Sequence, residues 1–182
     1  LTIDSKLQMK AASLLEDLNN LSGSIVALDV RTGGVLAMTS HPSYDPNAFA
    51  SGISPGLYTA WMNSPLRPLF DRSIQGQYPP GSTIKPLLAL AALESGHTSS
   101  KTVKCDGWFS LPRDSHRYRC WEKEGHGRGN LVEAIERSCD VFFYSLSNDI
   151  GINMIHSVLD RFGLGKVTGI DLPNEEKGLV PS

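Results

Sequence analysis

The sequence QGQYPPGSTIKP, residues 75–86, is the most informative part of this 182-residue chain. Ser82 and Lys85 are three residues apart, so on a helix they would lie on the same face. A serine hydroxyl becomes a good nucleophile when a base takes its proton, and a lysine amine can be that base. The first turn of a helix also has unpaired amides that stabilise negative charge on an attacked carbonyl. Because Ser-x-x-Lys also occurs by chance, the alternative is a capping serine followed by a surface lysine.

The sequence around Ser82 resembles the first motif of the penicillin-binding transpeptidases, which has a proline-glycine lead-in and a trailing proline. Residues 138–140, Ser-Cys-Asp, resemble the second motif, Ser-x-Asn, in the Ser-x-Asp variant of the elongation-specific penicillin-binding protein 2 group. Shorter similarities cover the rest of the chain: LTID at 1–4, GHG at 125–127, TGIDL at 168–172 and GLVPS at 178–182. The resemblance implies an α+β fold shared with the serine β-lactamases, of which residues 1–182 would be a partial transpeptidase domain.

The resemblance also implies an activity, that of a peptidoglycan D,D-transpeptidase. Such an enzyme cross-links D-Ala-D-Ala stem peptides during cell-wall elongation and is acylated by β-lactam antibiotics. Ser82 would be the nucleophile and Lys85 its base. Ser138 would relay a proton toward the leaving amine, and Asp140 would orient Lys85 and the substrate amide.

Some parts of the resembled family are not in this sequence. The third motif, Lys-Thr-Gly or a close variant on a strand, would supply a second oxyanion amide, so we expect this fragment alone to be inactive. The membrane anchor and N-terminal pedestal are missing as well, and the longest apolar run, residues 87–93, is too short to span a bilayer. The resemblance implies a location at the periplasmic face of the cytoplasmic membrane, with a peptidoglycan glycosyltransferase of the elongation machinery as partner.

Two other functions remain open at the level of the sequence. A serine β-lactamase would share Ser-x-x-Lys but would need a general base that activates a hydrolytic water, and nothing in the sequence marks that base. A non-catalytic protein of this fold could be a zinc-stabilised β-lactam sensor or scaffold. Nucleic acid is not expected as a partner, because 17 basic and 19 acidic side chains form no basic run with interleaved aromatics.

Cys105, Cys120, His126 and Cys139 are a candidate metal-ligand set. Three thiolates and one imidazole match the ligands of a closed structural Zn2+ site, so we predict a zinc-binding subregion over residues 98–140. Glycines on both sides of His126 would let the backbone turn tightly enough to aim the ring. The alternatives are a disulfide between Cys105 and Cys120 with Cys139 buried, or three free thiols.

Cys139 lies between the two polar residues of the second motif, so a metal bound to its sulfur would restrain the backbone of that motif. His116 is the one substitute for His126 as a ligand. The aromatic residues around this segment, Trp108, Tyr118 and Trp121, are expected to pack around the metal site rather than to contact substrate.

Hydrophobic periodicity predicts a helix-rich α+β domain. A helix capped by Asp4 or Ser5 ends near residues 19–20, and two apolar runs form a hairpin around a glycine turn. A long surface excursion follows, with one short helix near residues 57–62. Residues 98–130 are predicted to be irregular and polar. Because a hairpin needs more strands to be stable, the sheet would be completed beyond Ser182. The predicted strands are 24–30 and 34–38, and the later helices are 82–94, 131–137, 141–148 and 152–162.

Overall fold

The computed structural model describes residues 1–17 and 21–182, so the predicted end of the first helix, near residues 19–20, lies outside the described residues. The described residues form two compact units. Unit 1 comprises Leu1–Gln77 and Ile170–Glu176, and unit 2 comprises Tyr78–Gly169 and Lys177–Ser182. No helix in these two described ranges is both long and apolar enough to cross a bilayer.

Unit 1 begins with helix α1, Ser5–Glu16, packed on a hairpin of strands β1, Gly23–Leu28, and β2, Val35–His41. The Asp4 carboxylate accepts hydrogen bonds from two amides of the first helical turn, which makes Asp4 the N-cap. The strands are antiparallel, with one irregularity next to Ala27. The predicted cap and hairpin are therefore confirmed.

The segment after β2 contains two short helices, α2 at Asn47–Ala50 and α3 at Pro55–Asn63, where the sequence predicted one. Arg72 is buried in this segment and orders it. Its guanidinium donates hydrogen bonds to the backbone carbonyl oxygens of Leu66, Arg67 and Phe70. A buried cation is stable here because carbonyl dipoles replace the water that it loses.

Unit 2 begins with a short 3₁₀ turn, Gly81–Ile84, that leads directly into helix α4, Lys85–Glu94. The sequence predicted one regular helix from Ser82. Instead the Lys85 amide donates to the Ser82 carbonyl, an i to i−3 bond that tightens the first turn. The later helices of unit 2 are α5 at Leu131–Glu136, α6 at Asp140–Ile150 and α7 at Ile152–Arg161.

The segment predicted to be irregular contains four short strands, so that prediction was wrong. Strand β3, Val103–Cys105, pairs with β6, Gly127–Gly129, and β4, Trp108–Phe109, pairs with β5, Tyr118–Arg119. Strands of two or three residues are too short to show the alternation of apolar and polar residues by which strands are recognised. Both pairs are antiparallel, and together they fold residues 103–129 back on themselves.

The core of unit 2 is formed mainly by α4, α5 and α6 together with the short strands. All three cysteines belong to it, so they are core residues and not surface thiols. The buried members of this cluster are Ala89, Ala92, Cys105, Cys120, Leu131, Ala134, Cys139, Val141, Phe142, Phe143 and Leu146.

Candidate active site and metal centre

Ser82 and Lys85 differ sharply in their exposure. Ser82 is exposed in the 3₁₀ turn, where a reactant can reach its hydroxyl. Lys85, the first residue of α4, is only 7 % exposed. Because a buried ammonium group is stable only when its donors are satisfied, the partners of Lys85 decide how this site is built.

The Lys85 ammonium donates three hydrogen bonds, all to the second motif. Its Nζ lies 2.7 Å from the Ser138 carbonyl oxygen, 3.0 Å from Ser138 Oγ and 2.6 Å from Asp140 Oδ1. The contact with Asp140 is an ion pair in which the carboxylate side chain is 24 % exposed. These contacts join residues that are more than 50 positions apart in the chain.

Ser138 connects the lysine to the candidate nucleophile. Its hydroxyl accepts from Lys85 Nζ and donates to Ser82 Oγ across 2.9 Å. The sequence predicted that Lys85 would stand directly beside Ser82. In the structure the hydrogen-bonded path runs from Lys85 through Ser138 to Ser82, so a proton can move along it in two short steps.

The end of α5 explains why the Ser138 side chain points toward this path. The Cys139 amide donates to the Ala134 carbonyl, and the Ser138 amide donates to the Ile135 carbonyl. This pair of bonds is a Schellman motif, in which the residue after the C-cap has a left-handed backbone and is usually glycine. Here that residue is Ser138, with φ of 50°. The hydroxyl therefore occupies a position where the helix end by itself favours a residue without a side chain.

Asp140 is the first residue of α6, and Cys139 is the N-cap of that helix. A carboxylate in the first turn interacts favourably with the positive end of the helix dipole. Its two oxygens have different partners: Oδ1 pairs with Lys85, and Oδ2 accepts from the Trp121 amide at 3.2 Å. Both oxygens of the carboxylate are thus held in one orientation.

The four predicted metal ligands converge in unit 2, with all candidate ligand atoms within 4.8 Å of one another. The Nδ1 atom of His126 lies 3.7 Å from Cys105 Sγ and 3.5 Å from Cys120 Sγ. A tetrahedral zinc site has sulfur and nitrogen ligands about 3.6 Å apart. Cys139 is the fourth ligand of the set, and all three cysteines are free and buried. The residues therefore fit the ion.

Backbone geometry brings these ligands together. Cys105 ends β3 opposite Gly127, so the β3–β6 pairing places it beside His126. The Cys120 amide donates to the Gly107 carbonyl at 2.9 Å, which holds Cys120 against the turn between β3 and β4.

Two thiols of the cluster respond differently to their surroundings. Burial raises the pKa of the Cys139 thiol to about 12. Burial also opposes ionisation of Cys120, but backbone hydrogen bonds from Glu122, Val141 and Asp140 outweigh it and lower the pKa of this thiol. Two of these donors are in the first turn of α6, so Cys120 is tied to the segment that carries the second motif.

The other ring nitrogen of His126, Nε2, is buried and has no hydrogen-bond partner within residues 1–17 and 21–182. Ligating histidines usually donate their second N–H to an acceptor, so this ring departs from the common pattern. The edge-to-face contact with Trp121, at 5.1 Å between ring centroids, orients the ring instead. His116 is exposed and is not part of the cluster.

Trp121 is the residue whose contacts the sequence did not reveal. It was expected to pack around the metal segment, and its ring contact with His126 agrees with that, although the residue is 61 % exposed. Its indole N–H donates to the Arg137 carbonyl at 3.0 Å, and its amide donates to Asp140. The only signal in the sequence was its position directly after Cys120, because the two hydrogen bonds span 16 and 19 residues.

Comparison with known proteins places these features in a family. Residues 23–182 match the family described as the penicillin binding protein transpeptidase domain. The chain is 46 % identical over 183 aligned positions to the peptidoglycan D,D-transpeptidase MrdA of Escherichia coli K12, covering 100 % of this chain and 28 % of that protein. It therefore spans little more than a quarter of the length of this curated relative.

Solved structures agree in fold. The structure of Pseudomonas aeruginosa PBP2 in complex with WCK 5153 is similar with a TM-score of 0.91 and 46 % identity, covering 100 % of this chain and 41 % of that one. The penicillin G acyl-enzyme complex of penicillin-binding protein A from M. tuberculosis has a TM-score of 0.89 and 28 % identity, with coverage of 100 % and 44 %. The predicted α+β penicillin-binding fold is confirmed, and the chain belongs to the family of penicillin-binding protein transpeptidase domains.

Proposed function

We propose that the full-length protein containing this chain is a peptidoglycan D,D-transpeptidase with Ser82 as its nucleophile. The observation that carries the proposal is the hydrogen-bonded path from buried Lys85 through Ser138 to the exposed Ser82 hydroxyl. Membership of the transpeptidase family supports it, as does the acyl-enzyme formed by the M. tuberculosis relative. The substrates would be D-Ala-D-Ala stem peptides used in cell-wall elongation, and β-lactams would acylate the same hydroxyl.

The first half of the proposed reaction forms an ester. For the reaction Lys85 first gives up one proton of its ammonium group, and the hydrogen bonds of the path then run from Ser82 to Ser138 and from Ser138 to Lys85. Ser82 Oγ bonds to the carbonyl carbon of the penultimate D-Ala, and its proton passes through Ser138 to the neutral amine of Lys85. The bond to the nitrogen of the terminal D-Ala then breaks, and that nitrogen takes a proton by way of Ser138 as it leaves. Asp140 keeps Lys85 aligned with Ser138 through the 2.6 Å contact.

The second half transfers the acyl group. The amine of another stem peptide attacks the ester carbon and loses a proton to the Lys85–Ser138 pair, and Ser82 leaves with its proton restored. The product is a peptide cross-link, and the enzyme returns to its starting state. Amides of the turn Gly81–Ile84 would stabilise the oxyanion in both halves, together with the strand that carries the third motif.

The test is mass spectrometry of the full-length protein after incubation with a penicillin. We expect an adduct on the peptide containing Ser82, none in Ser82→Ala, and acylation about 100-fold to 10,000-fold slower in Lys85→Ala. Intact protein without an adduct would refute the proposal. Acylation at the normal rate in Lys85→Ala would remove the lysine as base.

The lifetime of the adduct, together with a cross-linking assay, separates the two alternative functions. A serine β-lactamase would release the hydrolysed drug rapidly, whereas a transpeptidase holds the adduct. A zinc-stabilised sensor or scaffold would form the adduct but would not cross-link stem peptides in a reaction with purified peptidoglycan precursors. Cross-linked product together with a slowly released adduct is the result that the transpeptidase predicts.

We also propose that Cys105, Cys120, His126 and Cys139 hold one structural zinc ion. The proposal is supported by a closed, buried set of three thiols and an imidazole at ligand spacing. Structural zinc stabilises zinc-finger peptides by about 10–16 kcal/mol, as much as the stability of a whole domain. Because Cys139 lies between Ser138 and Asp140, holding its sulfur also fixes the backbone of both.

Elemental analysis of the full-length protein tests this proposal. We expect one zinc per chain and loss of it in Cys139→Ser, whereas Cys105 and Cys120 should resist oxidation to a disulfide while the metal is bound. A metal-free protein with the full rate of acylation would refute it.

We propose, finally, a location at the periplasmic face of the cytoplasmic membrane and a partnership with a peptidoglycan glycosyltransferase. The support is the E. coli relative's name, since a peptidoglycan transpeptidase needs strands made by a polymerase. Co-purification of the full-length protein with a glycosyltransferase from solubilised membranes is the expected result, and recovery in the cytosolic fraction would contradict it.

A further inference from the structure

We propose that Trp121 is a positioning residue that holds Ser138 and Asp140 in their reactive geometry. The inference rests on the proposed function, because it assigns a role in the same acylation reaction. Trp121 itself contacts neither Ser82 nor Lys85 by a hydrogen bond. It acts through the Arg137 carbonyl, directly before the second motif, and through the Asp140 carboxylate within it.

The first contact fixes the end of α5. Arg137 is the C-cap of that helix, and its carbonyl oxygen is one of those that a helix leaves without an internal partner. The Trp121 indole N–H donates to it at 3.0 Å. Ser138 comes next, with its φ of 50°, a conformation that a side chain resists unless the surroundings hold it. The indole therefore restrains the peptide that precedes the strained serine.

The second contact fixes the start of α6. The backbone amide of Trp121 donates to Asp140 Oδ2 at 3.2 Å, while Lys85 binds the other oxygen. Rotation of the carboxylate would break one of these bonds. One residue thus restrains the segments on either side of Ser138.

The third contact connects Trp121 to the cysteine-histidine cluster. It directly follows Cys120 in the chain, and its ring makes an edge-to-face contact with the His126 ring, with 5.1 Å between the centroids. Burial does not explain the position of this ring, because the residue remains 61 % exposed. Directed polar contacts explain it better than hydrophobic packing does.

Trp108 is a matched control in the same segment. It is also partly exposed, at 40 %, and its ring lies 4.3 Å from the guanidinium of Arg117. That contact involves no residue of the second motif, so Trp108→Phe removes a comparable indole and leaves both Trp121 hydrogen bonds in place.

The experiment measures acylation of the full-length protein by a fluorescent penicillin in stopped flow. It separates the dissociation constant of the initial complex from the acylation rate constant, and the burst amplitude counts competent sites. For Trp121→Phe we expect the rate constant to fall about threefold to tenfold, the effect of one lost hydrogen bond. The dissociation constant, the burst amplitude and the zinc content should match those of Trp108→Phe.

Each other outcome has a defined meaning. An acylation rate constant equal to that of Trp108→Phe overturns the inference and leaves the proposed function intact. If Trp121→Phe loses burst amplitude and zinc, benzothienylalanine at position 121 decides, because it keeps the ring and lacks the N–H. A normal rate constant with that residue would show that only packing matters. If the unmodified protein forms no adduct, the proposed function fails and the inference fails with it.

Discussion

Gly125 and Gly127 flank His126. Replacing each with alanine separates the cost of a left-handed backbone from the cost of a steric clash. Both glycines have a left-handed backbone, with φ of 82° and 70°. A Cβ at Gly125 would lie 2.2 Å from the Cys105 carbonyl oxygen and 2.6 Å from the Gly107 amide nitrogen. A Cβ at Gly127 would meet no atom within 4 Å. The two variants thus share the backbone strain, and only Gly125→Ala adds a clash.

The expected magnitudes follow from that difference. A left-handed backbone costs alanine about 1–2 kcal/mol relative to glycine, and both variants bear this cost. Forcing a methyl group into an occupied position adds about 1–3 kcal/mol, and only Gly125→Ala bears it. For a domain of this size each kcal/mol lowers the melting temperature by about 2–4 °C, so the melting temperatures should differ by about 2–12 °C. The entropy that alanine removes from the unfolded chain is the same in both variants and cancels.

The melting temperature of the full-length protein is measured by differential scanning calorimetry. Its zinc content is measured by elemental mass spectrometry after gel filtration. Gly127→Ala should keep its zinc. Gly125→Ala should lose part of it, because relief of the clash displaces the Cys105 carbonyl at the end of β3. Equal melting temperatures and equal zinc contents in the two variants would refute the reasoning and show that the loop opens without cost.

Three further predictions concern the rest of the chain. Treatment with a strong chelator, which would remove the proposed zinc ion, should lower both the melting temperature and the rate of acylation by penicillin, and added zinc should restore both; a chelator without effect on either would contradict the proposed structural zinc. Arg72→Met should destabilise unit 1 by about 2–4 kcal/mol, because carbonyl groups near residue 70 lose their donor, and urea unfolding measured with and without the substitution would detect it. Asn130→Ala should cost about 1 kcal/mol, since Asn130 and Glu133 form a capping box at the start of α5, and an unchanged melting temperature would show that the box contributes nothing.

The sequence predicted the elements whose signals are local. Asp4 as a cap, the hairpin and the helices α5 to α7 depend on caps, glycines and apolar spacing that lie within one segment, and the structure agrees with these predictions. The ends of α5, α6 and α7 differ from the predicted ones by a residue or two, which is ordinary for such boundaries.

The sequence could not predict the features that depend on distant contacts. The strands β3 to β6 are too short to carry a period and exist because they pair with each other. The order Lys85, Ser138, Ser82 likewise depends on how the end of α5 is placed against α4, and spacing along the chain says nothing of that. The sequence motifs identified which residues form the site, but only the tertiary structure shows the order in which they are hydrogen-bonded.

Ser138 occupies the position after the C-cap of α5, where glycine would suit the backbone better. Selection for heat resistance alone would therefore favour Ser138→Gly, which relieves the strained conformation and removes the hydroxyl. The same substitution would take one hydrogen-bond acceptor from buried Lys85 and, under the proposed function, would remove the proton relay to Ser82. The left-handed backbone of Ser138 is thus the cost of placing a hydroxyl between Lys85 and Ser82.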